Sequence, residues 1–173
     1  MHDPSASYDV LPADAPKPER YALLRDRVRG LLAGEGDATA NLANAAAEVF
    51  ALVPDLNWAG FYLMKGGELV VGPFQGRPAC VRIAVGRGVC GTAVAERATQ
   101  LVDDVQAFPG HIACDPRSRA ELVVPIAQGD AVVAVLDLDS ERPRRFDADD
   151  RAGLEGLAAD LAAAIDWGQV TRP

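Results

Sequence analysis

The 173-residue sequence is 49% hydrophobic, which is too apolar for a disordered chain and sufficient for one packed domain. Its formal net charge of −8 repels the phosphates of nucleic acids and anionic lipids, so we expect neither as a partner. No apolar run reaches the roughly 20 residues that span a bilayer, and the first residues lack the pattern of a signal peptide. We therefore expect a cytoplasmic protein whose thiols are kept reduced.

The N-terminal part of the chain predicts an arm followed by two helices. Four prolines among the first 18 residues favour a flexible arm over 1–18, ahead of a single domain over 19–168. A first helix begins near Pro18, because apolar residues follow at helical spacing: Tyr21, Leu24, Val28 and Leu31. Asp37 can cap a second helix, which ends before Pro54.

The middle of the chain predicts strands and one short helix. The stretch NWAGFYLMKGGELVVGPF (57–74) is typical of two strands joined by a glycine turn, with Trp58 and Tyr62 on one face and Phe61 on the other. CVRIAV and TQLVDDV are further strand candidates, and glycines open a helix near Gly88 between them. The loop FPGHIACDPRS follows the second of these strands.

Two apolar strands and a helix complete the predicted domain. ELVVPI and AVVAVLDLDS are separated by AQGD, which predicts a hairpin. The final helix extends over FDADDRAGLEGLAADLAAAIDW, with acids in its first turn and leucines along one face. Strands joined by hairpins imply an antiparallel sheet with helices packed on it, which is the α+β fold class.

The end of the last predicted strand carries an unusual set of acids. Alternation puts Val133, Val135, Asp137 and Asp139 on one face, with the two carboxylates roughly 7 Å apart along the strand. Pairing across the hairpin brings Glu121 close to both. The strand has either reached solvent by Asp137, or the acids line a pocket that attracts a cation or holds a proton, since burying unpaired acids is unfavourable.

The aromatic residues of the first strand allow two interpretations. Trp58 and Tyr62 share a face, and aromatic residues on strands belong more often to a core than to a binding site. If that face meets the acids, however, the two rings form a wall opposite an acidic floor. Such a pocket suits a small cationic molecule with an apolar end.

The cysteines leave three interpretations open. Cys80, Cys90 and Cys114 could bind zinc together with His111, react as thiols, or fill a core. The chain lacks the close C-x₂₋₄-C pair of structural zinc sites, which argues against a metal. Cys90 lies at a predicted helix start, where backbone amides favour a thiolate. Cys114 lies in a loop expected to be exposed, although the adjacent Asp115 disfavours a thiolate there.

Four stretches carry a family resemblance: NWAGFYL (57–63), GPFQGRPACVRIAVGRGVCGTA (72–93), FPGHIACDPRSRAELVVPI (108–126) and LDLDS (136–140). They resemble the free methionine-R-sulfoxide reductases, which are single-domain proteins of the GAF fold. With the flanking helices, the resemblance covers residues 20–167. It implies reduction of free L-methionine-R-sulfoxide to methionine, with thioredoxin as reductant, no cofactor or metal, and a homodimer.

The resemblance also implies roles for individual residues. Cys114 matches the nucleophile of the family, while Cys80 and Cys90 match two cysteines of which one or both resolve the intermediate as a disulfide. The positions that match substrate-binding residues are Trp58, Tyr62, Glu121, Asp137 and Asp139. Ala120 departs from the pattern, because a small hydroxyl residue is expected before the glutamate.

The residue types are consistent with that chemistry. Clustered acids can donate a proton to the sulfoxide oxygen and hold the ammonium of a free amino acid, while amides near Gly88 to Gly91 can bind its carboxylate. Two rival interpretations are a GAF-type ligand-binding module without catalysis and a small zinc-binding interaction protein. We favour the enzyme because three cysteines stand where the family's chemistry requires them.

Overall fold

The computed structural model describes residues 11–12, 14–112 and 114–171, so most of the predicted arm lies outside the described residues. The helices and strands in chain order are α1 (Lys17–Leu32), α2 (Ala38–Leu52), β1 (Trp58–Lys65), β2 (Glu68–Gly76), β3 (Arg82–Ala84), α3 (Gly88–Glu96), β4 (Gln100–Val102), β5 (Ala120–Gln128), β6 (Ala131–Ser140) and α4 (Ala148–Ala164). Short 3₁₀ turns follow β4 and α4. Within the described ranges, no helix is long and apolar enough to cross a membrane.

A single antiparallel sheet organises the fold. Its strand order is β3-β2-β1-β6-β5-β4, so β1 and β6 are central and the short strands β3 and β4 form the edges. Helices α1, α2 and α4 cover one face through a large apolar cluster, and α3 covers the other face through a smaller one. The predicted α+β class and the antiparallel sheet are confirmed.

Alternation along β1 sends its side chains into these two clusters, as predicted. Phe61 is fully buried under the helices α1, α2 and α4, whereas Trp58 and Tyr62 lie in the cluster beneath α3. Gly60 lies between the two aromatic residues, where a Cβ atom would come within 2.3 Å of Phe74 Cβ. Glycine at this position therefore lets β2 approach the aromatic face of β1 closely.

The stripe predicted on β6 is wrong at its first residue. Ile126 pairs with Ala134 but Ala127 pairs with Val132, so Val133 is an extra residue in a β-bulge. Val133 consequently packs with the cluster under α1, α2 and α4, while the stripe beyond the bulge faces α3 as predicted. Alternation within one strand could not reveal this, because a bulge is defined by the partner strand.

Three element boundaries also differ from the predictions. The third strand is only Arg82–Ala84, because the chain turns at Gly86, whose N–H donates to the carbonyl of Gly91 at 2.8 Å. Helix α1 begins at Lys17, inside the segment predicted as a flexible arm. Helix α4 ends before Trp167, which is buried in the following 3₁₀ turn.

A buried carboxylate joins the N-terminal ends of α1 and α4. Asp150 is 1% exposed and accepts hydrogen bonds from the Tyr21 hydroxyl at 2.8 Å, the Lys17 ammonium at 2.6 Å and the Arg145 guanidinium at 3.2 Å. It also forms a capping box with Asp147, in which each side chain accepts from the other residue's backbone N–H. Burial of this charge is tolerated because several donors satisfy it.

We predict that Asp150→Asn lowers the free energy of unfolding by about 3 kcal/mol, because the buried Arg145 then loses its closer carboxylate partner and keeps only Asp55 at 4.0 Å. The matched control is Asp149→Asn, on the exposed side of the same helical turn, which should lower it by about 0.5 kcal/mol or less. Urea unfolding followed by circular dichroism measures both values. Equal losses in the two variants would contradict this role of Asp150.

Candidate active site

Three neighbouring strands bring the predicted acids and aromatic residues together. Asp139 on β6 lies opposite Trp58 on β1 and Glu121 on β5. Asp137 lies two residues earlier on the same face of β6. The carboxylates therefore meet at one end of the sheet, on the face covered by α3. One pocket is lined by seven of the eight residues singled out from the sequence: Trp58, Tyr62, Cys90, Cys114, Glu121, Asp137 and Asp139.

The acids of the pocket are buried rather than solvated. Glu121 is 7% exposed and Asp137 is 5% exposed, while Asp139 is half-buried. Within the described chain, the Oδ1 atom of Asp137 has no hydrogen-bond partner. The interpretation that the strand has reached solvent by Asp137 is therefore wrong. An orphaned buried carboxylate oxygen is unfavourable until it meets a proton or a cation.

Burial also decides the protonation of this acid cluster, which consists of Glu121, Asp137 and Asp139. Burial raises the pKa of Asp137 to about 7. Burial, followed by the charges of the other two acids, raises the pKa of Glu121 well above its usual value. Burial and the charge of Asp137 raise the pKa of Asp139 likewise, against the lowering effect of a Ser118 hydrogen bond. The cluster thus retains protons close to neutral pH.

Cys90 lies beside Glu121 and Asp137 in the pocket. The thiol is buried, and its Sγ lies 3.8 Å from Glu121 Oε1, at hydrogen-bond distance for sulfur. Burial, followed by the charges of Asp137 and Glu121, raises the pKa of Cys90 well above its usual value. The sequence-based expectation that the helix start favours a thiolate here is wrong, because desolvation and two nearby carboxylates outweigh the backbone amides.

The same three side chains are close enough to hold a metal ion. The ligand atoms of Cys90, Glu121 and Asp137 lie within 4.8 Å of one another. Their raised pKa values mean that protons compete with a cation for these atoms. The Cys₃His set considered from the sequence is not assembled here, because two of its cysteines are bonded to each other.

Cys80 and Cys114 form a disulfide with a Cα–Cα distance of 5.4 Å. Cys80 does not line the pocket itself, and it lies just before the edge strand β3. Cys114 lies in the loop before β5 and lines the pocket. Of the two disulfide partners that the sequence left open for Cys114, this structure therefore contains Cys80, while Cys90 is a free thiol.

The aromatic wall is tied to the segment that carries Cys80. The rings of Trp58 and Tyr62 stack with centroids 5.8 Å apart. The indole N–H of Trp58 donates to the Arg77 carbonyl at 3.2 Å, and the Tyr62 hydroxyl donates to the Cys80 carbonyl at 3.1 Å. The two interpretations of these aromatic residues are both correct in part, since the rings are buried and also line the pocket.

Sequence reasoning missed two polar residues that organise the loop after Cys114. The amide of Asn57 donates to Ser118 Oγ at 3.0 Å and to Asp115 at 3.4 Å. Asp115 also accepts from the backbone N–H of Arg117 at 3.0 Å, and this bond is the main reason for its lowered pKa. Asn57 and Ser118 lie inside two of the stretches that carry the family resemblance, and this position was the only sequence feature that could have pointed to them.

Two further features of the pocket can bind an anion. The helix α3 begins at the pocket with the amides of Gly88, Val89 and Cys90, which precede the first helical hydrogen-bond donor, Gly91. Arg87 lies beside them on the pocket wall. This end of the pocket can therefore bind a carboxylate while the floor binds a cation. Ala120 contributes to neither, because its side chain is buried on the opposite face of the sheet.

We predict that Asp137→Asn raises the free energy of unfolding by about 1 to 2 kcal/mol at pH 7.5. The pKa of Asp137 in the folded protein is about 7, above its ordinary value of 3.8. Between those values the unfolded chain releases a proton that the folded protein retains, so stability falls as pH rises, and an amide removes this effect.

Urea unfolding at pH 4 and pH 7.5 tests this prediction, because Asp137→Asn should raise the free energy of unfolding less at pH 4 than at pH 7.5. Asp130→Asn, in the exposed turn between β5 and β6, is the control and should change little at either pH. A loss of stability in the Asp137 variant at pH 7.5 would mean that the carboxylate is satisfied in the folded protein.

Comparison with known proteins agrees with this geometry. The GAF domain family model matches residues 39–166. The free methionine-R-sulfoxide reductase of Escherichia coli is 50% identical over 149 residues, which are 86% of this chain and 90% of that protein. The enzyme of the same name from Saccharomyces cerevisiae is 44% identical over 137 residues, covering 75% and 76% of the two chains.

A solved structure gives the same result. The crystal structure of free methionine-R-sulfoxide reductase from Neisseria meningitidis in complex with its substrate superposes with a TM-score of 0.87. That protein is 39% identical to this one, and the match covers 94% of this chain and 98% of the other. The chain therefore belongs to the free methionine-R-sulfoxide reductases, a family of oxidoreductases with the GAF fold.

Proposed function

We propose that this protein reduces free L-methionine-R-sulfoxide to L-methionine through a cysteine sulfenic acid and an intramolecular disulfide. The observation that carries the proposal is one pocket that combines a buried acid cluster with a cysteine joined to a second cysteine. The acids account for a free amino acid as substrate, and the cysteines account for a two-electron reduction. The sequence relatives named above support the same reaction.

The acid cluster binds the ammonium of the substrate in this proposal. The Oδ1 atom of Asp137, which lacks a hydrogen-bond partner within the described chain, can accept from the ammonium, and Glu121 and Asp139 lie beside it in the same pocket. A methionine within a polypeptide has no ammonium group, so it is rejected. The apolar part of the substrate packs against Trp58 and Tyr62, and its carboxylate binds the amides at the start of α3.

Cys114 supplies the nucleophile. Its thiolate attacks the sulfoxide sulfur while a protonated carboxyl group of the acid cluster gives its proton to the sulfoxide oxygen. The oxygen is transferred to Cys114, which becomes a sulfenic acid, and methionine is released. The Cys80 thiol then attacks the sulfenic sulfur, water leaves, and the disulfide forms, consistent with the Cα–Cα distance of 5.4 Å.

The cycle closes when thioredoxin reduces the disulfide by thiol exchange. It needs neither a metal nor a bound cofactor, because thiols and carboxyl groups supply the nucleophile, the protons and the electrons. A compartment in which thioredoxin is kept reduced is required, which is why we propose a cytoplasmic location. Following the family resemblance, we also propose a homodimer.

A GAF-type ligand-binding module is the second candidate. The fold alone supports it equally well, because GAF domains with other roles share the architecture. A binding module has no use for a pocket-lining cysteine that is bonded to a second cysteine. The enzyme is therefore the better explanation of the Cys80–Cys114 pair.

We predict turnover with free L-methionine-R-sulfoxide only. The purified protein is mixed with thioredoxin, thioredoxin reductase and NADPH, and NADPH consumption is followed after adding the free R epimer, the free S epimer or N-acetylmethionine-R-sulfoxide. The N-acetyl compound should fail because it brings no ammonium to the acid cluster. If none of the three is turned over by protein with reduced thiols, a ligand-binding module is the better explanation.

We predict different outcomes for serine variants of the three cysteines. Cys114→Ser should form no methionine. Cys80→Ser should release about one methionine per protein and then stop with thioredoxin, because the sulfenic acid has no resolving thiol. Cys90→Ser should keep its turnover within about threefold, since a hydroxyl can still donate to Glu121.

Quantification of methionine in a single turnover, followed by steady-state assays, separates the three variants. A Cys90→Ser variant that stops after one methionine, together with a Cys80→Ser variant that continues, would assign the resolving role to Cys90 instead.

A further inference from the structure

Two exposed apolar side chains flank the short edge strand next to the disulfide. Among the described residues, the large hydrophobic side chains that are exposed are Phe50, Val81 and Val85, at 37%, 62% and 41%. Val81 directly follows Cys80, and Val85 directly follows strand β3. Exposed apolar groups that cluster beside a reactive group are typical of a contact surface, whereas a single one is unremarkable.

The charge of this segment is the reverse of that of the whole chain. Between Glu68 and Glu96 the sequence contains no acidic residue and three arginines, Arg77, Arg82 and Arg87, in a chain whose net charge is −8. All three arginines are exposed. Arg82 is paired with Glu68 of β2, so the positive charge near this edge comes from Arg77 and Arg87. Together with the exposed valines, these two arginines favour a partner surface that is apolar with acidic groups around it.

One cysteine of the disulfide lies beside this edge of the sheet rather than in the pocket lining. Strand β3 is the terminal strand of the sheet, paired on one side only by β2. Cys80 precedes it and does not line the pocket, whereas Cys114 does. A protein is too large to enter the pocket, so Cys80, which lies beside the β3 edge, is the candidate for attack by its thiol.

We propose that Val81, Val85 and the arginines around them form the docking surface for a dithiol protein reductant, which attacks the Cys80 sulfur. This inference rests on the proposed function, because it concerns the disulfide formed in that cycle. The thiolate of the reductant bonds to Cys80 Sγ and the Cys80–Cys114 bond breaks, releasing Cys114 as a thiolate. The second thiol of the reductant then displaces Cys80, so the reductant leaves as a disulfide and both cysteines are reduced.

This attack restores the enzyme in its reactive form. The mixed disulfide is carried by Cys80, outside the pocket, and Cys114 is a thiolate in the pocket as soon as the first bond breaks. Arg77 and Arg87 also line the pocket, whereas Val81 and Val85 do not. The apolar side chains of the docking surface can therefore be changed without altering how the pocket binds or reduces its substrate.

The rate of disulfide reduction tests the proposal and does not depend on sulfoxide turnover. Protein with the Cys80–Cys114 disulfide is mixed with reduced thioredoxin or with dithiothreitol, and the disulfide remaining is quantified by mass spectrometry after acid quenching. The double variant Val81→Ser/Val85→Ser should react about tenfold more slowly with thioredoxin, because apolar contact area is lost. With dithiothreitol, which needs no docking surface, its rate should stay within about twofold of the parent.

Phe50→Ser is the matched control, because Phe50 is also an exposed apolar residue but lies on α2, across the sheet from the pocket. It should react like the parent protein with both reductants. An unchanged thioredoxin rate in the double variant would overturn the proposal, as would an equal slowing by Phe50→Ser. Equal slowing of the double variant with dithiothreitol would also overturn it, because the effect would then lie in the disulfide itself.

A trapping experiment identifies the sulfur that is attacked. A thioredoxin variant whose second cysteine is replaced by serine is mixed with the disulfide form, and the mixed disulfide is located by peptide mapping. The proposal predicts linkage to Cys80, and linkage to Cys114 would overturn it. A protein that is reduced as expected but forms no methionine would refute the proposed function while leaving the docking surface supported.

Discussion

The structure of the pocket depends on the burial of three carboxyl groups at one end of the sheet. Glu121, Asp137 and Asp139 are brought together by the pairing of β5 with β6, and α3 covers them with the thiol of Cys90. Burial raises the pKa values of all three, and the charges of neighbouring acids raise those of Glu121 and Asp139 further. The folded protein must therefore supply protons to this cluster, or a ligand must supply a cation.

That constraint links stability to function. The uncompensated oxygen of Asp137 destabilises the empty pocket, and a ligand ammonium can remove the defect. In the proposed function, selectivity for a free amino acid follows from this missing hydrogen-bond partner. A carboxyl group that stays protonated near neutral pH can in addition donate a proton, so the same burial provides both a binding group and an acid.

The residues of the proposed reaction lie partly on paired strands and partly in less regular connections. The acid cluster and the aromatic wall lie on paired strands in the centre of the sheet, where their geometry is fixed. Cys80 and Cys114 lie in the connections before β3 and β5. This arrangement suits a cycle in which the cysteines must change partners while the substrate position stays constant. The hydrogen bond from Tyr62 to the Cys80 carbonyl couples the two parts.

The sequence predicted the strands, the sheet and the convergence of the acids, because alternation and hairpin pairing are local rules. It failed at Val133, where a bulge depends on the partner strand, and at Cys90, where burial by distant segments reverses the influence of the helix start. Local pattern could not choose Cys80 over Cys90 as the disulfide partner, because the choice depends on a Cα–Cα distance set by the whole fold.

We propose that the acid cluster exchanges protons for the ammonium of a free amino acid. Calorimetric titration with the product, L-methionine, in buffers of different ionisation enthalpy at pH 7 measures it directly. We expect release of about one proton per L-methionine bound, and much weaker binding of N-acetyl-L-methionine without that release. Binding of both compounds with equal affinity and no proton release would contradict it.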